Sequence, residues 1–487
     1  MGHFHGLSTV KSIGEIAEMR LFQNLAVHGD APALVDEDGN TISHRELDRA
    51  ASRLSGAVGA RSLVFCVCTN TVESITGYVS LTRAGHVCLM VSGSLDDERV
   101  RVLANTFEPN YFWAPETHAV TQGRVSVVRD GTYSLTPWSG EPLSMHPDLS
   151  VLMATSGSTG SPVMVRQSTG NLLENARSIV ESLSLTPADR ALTTLPMNYT
   201  YGLSIINSQL ECGGSLVVTE ASLMDRKFWN LVNSQRPTYF GGVPYTYEML
   251  NRIGVKRLRD SGIRMLTQAG GKLSAELVTA IANECSAVGI DFFVMYGQTE
   301  ATARMSVLSP ADAVSRPSSI GKPIPGGRFR ILDLDEDEEV PPGEIGELEY
   351  VGPNVTMGYA ATASDLALGH ERDGHLRTGD LAVVDDDGFY YVVGRRKRFV
   401  KLFGHRTNLD DIERHLKGQG HEVACTGTDD SLVVHVVGAC DEKELADAAA
   451  TFAGTNRKAV SVRRIDAIPR NDAGKVLYSA LDDGGVK

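Results

Sequence analysis

Residues Ser150 to Arg166 read SVLMATSGSTGSPVMVR, and this stretch decides the fold. Val151 to Ala154 is a short apolar run that predicts a buried strand, and Val163 to Val165 predicts a second. Between them stand Thr155, Ser156, Gly157, Ser158, Thr159, Gly160 and Ser161, with five hydroxyls and two glycines. Consecutive backbone N–H groups in such a loop can form a concave anion nest, and glycine lets the backbone approach closely. A plain Gly/Ser linker has the same composition but would not be flanked by apolar strands. No Gly-Lys-Ser/Thr follows, so the loop is not a Walker A motif.

Outward from the loop, apolar runs alternate with helical patterns. Ser62 to Cys68 and Val87 to Val91 read as strands around a helix at Val72 to Arg83. Ser43 and Glu46 form a capping box before another helix. Further strands are expected at Ala191 to Leu195, Ser215 to Val218, Thr238 to Gly241, Arg264 to Gln268 and Ile290 to Met295. Helices at Asn171 to Leu183 and Ser274 to Val288 alternate with them. Such alternation predicts parallel α/β sheets with ligands at strand C-termini. After about Ser319 short strands and turns take over, which predicts a β-rich subdomain at about 320–396. A small α+β unit follows from Lys397 to Lys487, so the expected fold is α/β with an N-terminal domain of 1–396.

The chain has 487 residues and a formal charge of −14, enough length for two or more domains. An acidic balance disfavours nonspecific nucleic-acid binding. No apolar run approaches the roughly 18 residues of a membrane span, and residues Met1 to Gly6 lack the pattern of a signal peptide. The seven cysteines are scattered without metal-finger spacing, which points to a cytoplasmic, reducing compartment. The acidic run Asp335 to Glu339 reads as a solvated turn.

Four more stretches join the Gly/Ser loop. Tyr296-Gly297-Gln298-Thr299-Glu300 follows an expected strand, and Arg377-Thr378-Gly379-Asp380 places a carboxylate after an expected tight turn. Gly394-Arg395-Arg396-Lys397 marks the start of the last unit, and Pro469 to Lys475 sets a lysine on a Gly-bearing loop. Each is weak alone, but five in this order are specific. Together they resemble the adenylate-forming superfamily, in its acyl-CoA synthetase, AMP-dependent ligase branch. The resemblance spans about Leu34 to Leu481.

The resemblance implies a large domain composed of two α/β subdomains and a small β-barrel-like one, followed by a small mobile domain. It also implies two half-reactions: a carboxylate attacks ATP to give an acyl adenylate, then a thiol displaces AMP. By this resemblance Thr155 to Gly160 form the phosphate loop, Thr299 binds the α-phosphate and Glu300 is the Mg2+ ligand. Tyr296 and Ala269-Gly270-Gly271 flank adenine, Asp380 accepts the ribose hydroxyls, and Arg395 lies near ribose and phosphate. Lys475 bridges carboxylate and α-phosphate, while Lys397 is the hinge. CoA enters along Lys401 to Arg406, where Gly404 admits the pantetheine.

Tyr199 stands where acyl-CoA synthetases carry an aromatic lid residue. No aspartate lies between Leu195 and Leu210, which disfavours an α-amino acid substrate. Gly241 and Gly242 are expected to open space that Tyr199, Tyr201 and Tyr245 line, so a bulky, largely apolar carboxylic acid is expected. The acceptor is CoA, or alternatively the phosphopantetheine of a carrier protein. A contrasting reading is a non-catalytic adenylate-binding protein, against which Glu300, Lys397 and Lys475 argue. One departure stands out. The family's loop usually ends Gly-x-Pro-Lys-Gly, but here Val163 replaces the lysine and Met164 the glycine. Adenylation is therefore expected to be weak relative to thioesterification, with a separate adenylating enzyme as a possible source of adenylate. Arg166 is the nearest cation that could substitute.

Overall fold

The computed structural model describes residues 21–154, 163–334, 336–402, 405–428, 430–470 and 476–482. Its two large sheets are built from alternating strands and helices. In the eight-stranded sheet the strands Leu149–Ala154, Val87–Ser92, Leu63–Cys68 and Tyr111–Pro115 run parallel and adjacent. The nine-stranded sheet has a parallel centre containing Pro32–Val35, Ser215–Val217, Arg190–Leu192, Tyr239–Gly242, Met265–Gln268 and Asp291–Tyr296.

The residue pattern explains why these strands are apolar throughout. Side chains alternate across a strand, so a strand with both faces covered feeds two cores. Val64, Cys66 and Cys68 enter one core while Leu63, Phe65 and Val67 enter another. Ala191, Leu216, Tyr239 and Met265 share that first core, whereas Leu192, Val217, Phe240 and Leu266 face a third. Helices Val72–Arg83 and Thr200–Glu211 contribute to the core common to both sheets. They are joined by a hydrogen bond from Tyr78 Oη to Asn207 Oδ1 at 2.9 Å. The Ser43 capping box is present, with Glu46 N donating to Ser43 Oγ at 3.2 Å and Ser43 N to Glu46 Oε2 at 2.8 Å.

A four-stranded antiparallel sheet follows, in the order Arg328–Leu332, Gly346–Val351, His375–Val384 and Tyr390–Arg395. The last unit holds a hairpin pair, Phe399–Leu402 with His405–Asn408, and a three-stranded sheet packed with helices Leu409–Gly418 and Glu442–Phe452. Among the described residues no helix is long and apolar enough to cross a membrane.

Two elements differ from the sequence reading. Thr200–Glu211 is a helix that the sequence reading did not include; its residues are nearly all buried, and its polar positions Thr200, Ser204 and Asn207 bond to protein groups rather than face solvent. His375–Val384 is one long strand, and Arg377 to Asp380 is not a terminal turn. Its pairing with Gly346–Val351 shifts between Glu347 and Glu349, so Thr378, Gly379 and Asp380 form a bulge opposite Leu348. Gly379 adopts φ 71°, a left-handed conformation that favours glycine.

Close packing inside the common core gives a direct test. A Cβ on Gly77 would lie 2.0 Å from Nε1 of the buried Trp113. Gly77→Ala is therefore expected to destabilise the fold by about 1–3 kcal/mol, despite alanine's better helix propensity. Urea denaturation at unchanged m-value measures it, and a neutral or stabilising result contradicts the packing described.

Candidate active site

The C-terminal edge of the nine-stranded sheet gathers several expected residues. Strand Met265–Gln268 leads into Ala269-Gly270-Gly271, and strand Asp291–Tyr296 ends on Tyr296. Gly270 has φ 83°, and a Cβ there would lie 2.3 Å from the Tyr199 hydroxyl. Tyr199 thus packs against the bare backbone of Gly270. Burial, with Tyr201 adding to it, pushes the Tyr199 phenol up to about 12, so it stays protonated at neutral pH.

Asp380 projects from the bulge into a buried knot, with its side chain 4% exposed. Tyr296 Oη donates to its Oδ2 at 2.5 Å, and Gln298 Nε2 donates to the same oxygen at 3.0 Å. Arg395 Nε donates to Oδ1 at 3.1 Å. Gln298 also donates to Thr378 O at 3.0 Å, tying the bulge to the end of the parallel strand. Burial beside the Asp380 carboxylate raises the Tyr296 pKa well above its usual value, which keeps this phenol a donor. The sequence reading missed Gln298, although it stands inside the motif already singled out.

Thr299 and Glu300 occupy the 3-10 turn Thr299–Ala301. Gln167 Nε2 donates to Thr299 O at 3.4 Å. The Glu300 carbonyl accepts from Thr356 N at 3.0 Å, Thr356 Oγ1 at 2.9 Å and Arg372 Nη1 at 3.2 Å. Its carboxylate Oε1 accepts from Tyr359 Oη at 2.8 Å. The Arg372 guanidinium lies 4.5 Å from the centre of the Tyr359 ring. Tyr359 is on the edge strand Gly358–Ala360 and pairs with Val165, in the strand that leaves the Gly/Ser loop. Neither Tyr359 nor Arg372 belongs to a motif, and only the long-range pairing brings them here.

Arg166 is wholly buried and directed away from solvent. Its Nε donates to Tyr359 O at 2.9 Å, and Nη1 donates to Leu368 O and to Gly369 O, the latter at 3.2 Å. Nη2 pairs with Glu371 Oε2 at 2.6 Å. These contacts commit the guanidinium, so Arg166 cannot reach a ligand phosphate in this arrangement. Val163 is half-buried just before the strand Met164–Ser168.

The other tyrosines and glycines are placed differently from one another. Tyr201 is 3% exposed and its hydroxyl donates to Thr267 O at 2.8 Å. A Cβ on Gly241 would meet Tyr201 Oη and Ile205 Cδ1, both at 2.8 Å, and one on Gly242 would meet Thr246 and Tyr247. The space these glycines leave is filled by core side chains rather than open to a ligand. Tyr245, in the first turn of helix Pro244–Ile253, is 59% exposed. Gly271 follows Gly270 at the strand end, where its Cβ would meet only Pro244. Thr155, Ser156, Gly157, Ser158, Thr159, Gly160, Gly404 and Lys475 lie outside the described residues, as do the side chains of Lys397 and Lys401.

A sequence profile described as AMP-binding enzyme matches residues 21–360. Feruloyl-CoA synthase from an Amycolatopsis species is 28% identical over 476 residues, 91% of this chain and 94% of that protein. The 2-succinylbenzoate–CoA ligase of Bacillus pumilus is 29% identical over 345 residues, 69% of this chain and 68% of that protein. The structure of o-succinylbenzoate CoA synthetase from Bacillus subtilis, in complex with its acyl-adenylate intermediate, has the same fold. It aligns with a TM-score of 0.76 at 21% identity, covering 96% of this chain and 98% of that one.

The role of Arg166 can be tested without any ligand. Arg166→Met strips the charge from a buried site and leaves three carbonyls short of a donor, which is expected to cost about 3 kcal/mol. Glu371→Gln should cost about 1 kcal/mol or less, because the Glu371 side chain is 51% exposed. Chemical denaturation of both variants measures the difference. Equal costs would mean that the ion pair, not the carbonyl contacts, holds this segment.

Proposed function

We propose that this chain, which belongs to the AMP-binding enzyme family in its acyl-CoA synthetase branch, makes a CoA thioester from a bulky, largely apolar carboxylic acid through an acyl adenylate. The observation that carries the reading is the Asp380 knot at the edge of the parallel sheet. A carboxylate oxygen offers about two acceptor sites. Oδ2 already accepts from Tyr296 and Gln298, and among the described residues Oδ1 accepts only from Arg395. A ribose hydroxyl then binds at Oδ1, beside Arg395 or in its place. Arg395 is half-exposed and free to swing toward a phosphate.

The donor set also fits a hard cation. Tyr359 occupies Glu300 Oε1 and orients the carboxylate, which leaves Oε2 to hold Mg2+. The ion would supply charge neutralisation on the phosphates. In the adenylation step the substrate carboxylate forms a bond to the α-phosphorus while the bond to pyrophosphate breaks. Thr299 and Lys475 are assigned to the charge that shifts on the α-phosphate. In the second step the CoA sulfur bonds to the acyl carbon and AMP leaves, after the 397–487 unit turns about Lys397. Lys401 and Gly404 are assigned to the path of the pantetheine.

The substrate class rests on the relatives named for feruloyl and 2-succinylbenzoate thioesters and on Tyr199 at the strand ends. The two glycines of strand Tyr239–Gly242 do not support it, since core side chains fill their space.

Asp380→Ala removes a buried charged acceptor from the ribose. Affinity for AMP is expected to fall by about 2 kcal/mol, roughly thirtyfold, in isothermal titration. Unchanged AMP affinity would remove Asp380 from the nucleotide site.

The two half-reactions are proposed to be unequally supported. Val163 cannot donate to a phosphate, and Arg166 is committed to carbonyls and Glu371. A charged hydrogen bond is worth roughly 1.5–3 kcal/mol, about ten- to a hundredfold in rate when made at the transition state. An acyl adenylate lacks the pyrophosphate end and loses nothing. Thioester formation from a supplied adenylate should therefore outrun that from acid plus ATP. Val163→Lys should raise only the second rate, by about tenfold. Equal rates from both starting points in the unaltered protein would establish an ordinary full ligase.

A further inference from the structure

Three side chains near the Arg166 junction have no part in the proposed reaction. His146 and Asp148 lie just before the strand Leu149–Ala154, and His370 follows the 3-10 turn Ala363–Ala367. One potential ligand atom of each lies within 4.8 Å of the other two. Asp148 Oδ2 is 3.2 Å from His370 Nε2 and 3.9 Å from His146 Nδ1. The two imidazoles meet edge to face, with centroids 5.6 Å apart.

A tetrahedral zinc ion with bonds of about 2.0–2.1 Å spaces its ligand atoms about 3.3 Å apart. The separations of 3.2 and 3.9 Å lie close to that spacing. His370 is 40% exposed at its side chain, so its rotation can close the remaining gap. Two imidazoles and one carboxylate suit a borderline ion, whereas Mg2+ and Ca2+ prefer oxygen alone.

The backbone beneath the cluster is already fixed. His146 N donates to Leu366 O at 2.8 Å, which joins the two ligand-bearing segments directly. Leu149 N donates to His146 O at 3.0 Å. Arg61 holds the same segment through Met145 O at 3.2 Å and Leu149 O at 2.6 Å. Among the described residues His146 Nδ1 accepts one bond, of 3.2 Å from Asp148 N, which an ion at that nitrogen would replace. The opposing charge of Arg166 is offset by Glu371.

We propose that His146, Asp148 and His370 form a binding site for a divalent transition ion, zinc by preference, with water completing the coordination. The ion would clip the strand entering the Gly/Ser loop to the 357–372 segment. That segment carries Tyr359 and Arg372, the partners of Glu300.

The test uses the full chain, stripped with chelator and dialysed. Calorimetric titration with Zn2+ should show one equivalent bound, and Co2+ should give the visible absorption of a tetrahedral ion. Asp148→Asn and His370→Gln should each weaken that binding by more than the ~10- to 100-fold that loss of a mere supporting partner costs. His28→Gln, at a second pair of histidine rings 5.0 Å apart, should leave it unchanged. Zinc should raise the melting temperature of the unaltered chain and of His28→Gln, but not of the two ligand variants. Because Asp148 and His370 are exposed, the metal-free variants should melt with the metal-free parent; if one does not, the other decides. Absence of stoichiometric binding by the unaltered chain, or full binding in a folded ligand variant, overturns the proposal.

Discussion

The guanidinium of Arg166 fixes the geometry on which the candidate site depends. A buried charge is tolerable only when its donors are satisfied, and here the partners are carbonyls of Tyr359, Leu368 and Gly369 together with Glu371. These partners lie about 200 residues further along the chain. Binding the Tyr359 carbonyl sets that strand edge, and the same residue's phenol then reaches Glu300. Binding Glu371 places the adjacent Arg372, which holds the Glu300 carbonyl and stacks on Tyr359. One cation thus positions a carboxylate by organising the residues that contact it.

The Asp380 knot joins the two architectures in a similar way. The antiparallel sheet supplies Asp380 and Arg395 on neighbouring strands, where they are register partners. The parallel sheet supplies Tyr296 and Gln298. A regular strand would alternate its side chains strictly, but the bulge at Thr378 to Asp380 re-aims the carboxylate toward the parallel sheet. Thr378 Oγ1 anchors the bulge by donating to Leu348 O at 2.6 Å.

Much of this was legible in the sequence, for identifiable reasons. Ser62 to Cys68 read as a strand because Leu63 to Cys68 are all apolar, and Val72 to Arg83 began and ended as a helix where expected. The capping box at Ser43 is a purely local signal and needs no tertiary information. The helix Thr200–Glu211 was missed although Thr200, Ser204, Asn207 and Ser208 recur at helical spacing, because small hydroxyl and amide side chains among apolar residues make a weak stripe that tertiary contacts bury. Gly379 suggested a turn because glycine marks turns and bulges alike, and only the pairing with Gly346–Val351 separates them. The contacts of Glu300 with Tyr359 and of Arg166 with Glu371 join residues 59 and 205 positions apart, beyond any local pattern. Gly241 and Gly242 misled for a related reason. A missing side chain leaves space, but sequence cannot say whether a ligand or a neighbour such as Tyr201 takes it.

The placement of Arg166 bears on the proposed inequality of the two half-reactions. Moving that guanidinium toward a phosphate would take a charged donor from three part-buried carbonyls and from Glu371, and would release Tyr359 from the position in which it contacts Glu300. Each hydrogen bond the charged guanidinium gives up is worth about 1.5–3 kcal/mol, comparable to the whole gain from one charged phosphate contact. The rearrangement therefore loses more than it gains. A compensating cation would have to come from outside this strand, and it would have to act without disturbing Met164, which is packed into a core, or the fully buried Val165. Val163, just before the strand begins, is where a longer, charged side chain could be introduced while Arg166 keeps its contacts. That makes residue 163 the economical place for the chain to gain or lose pyrophosphate chemistry, while the Asp380 knot and the Glu300 turn stay as they are.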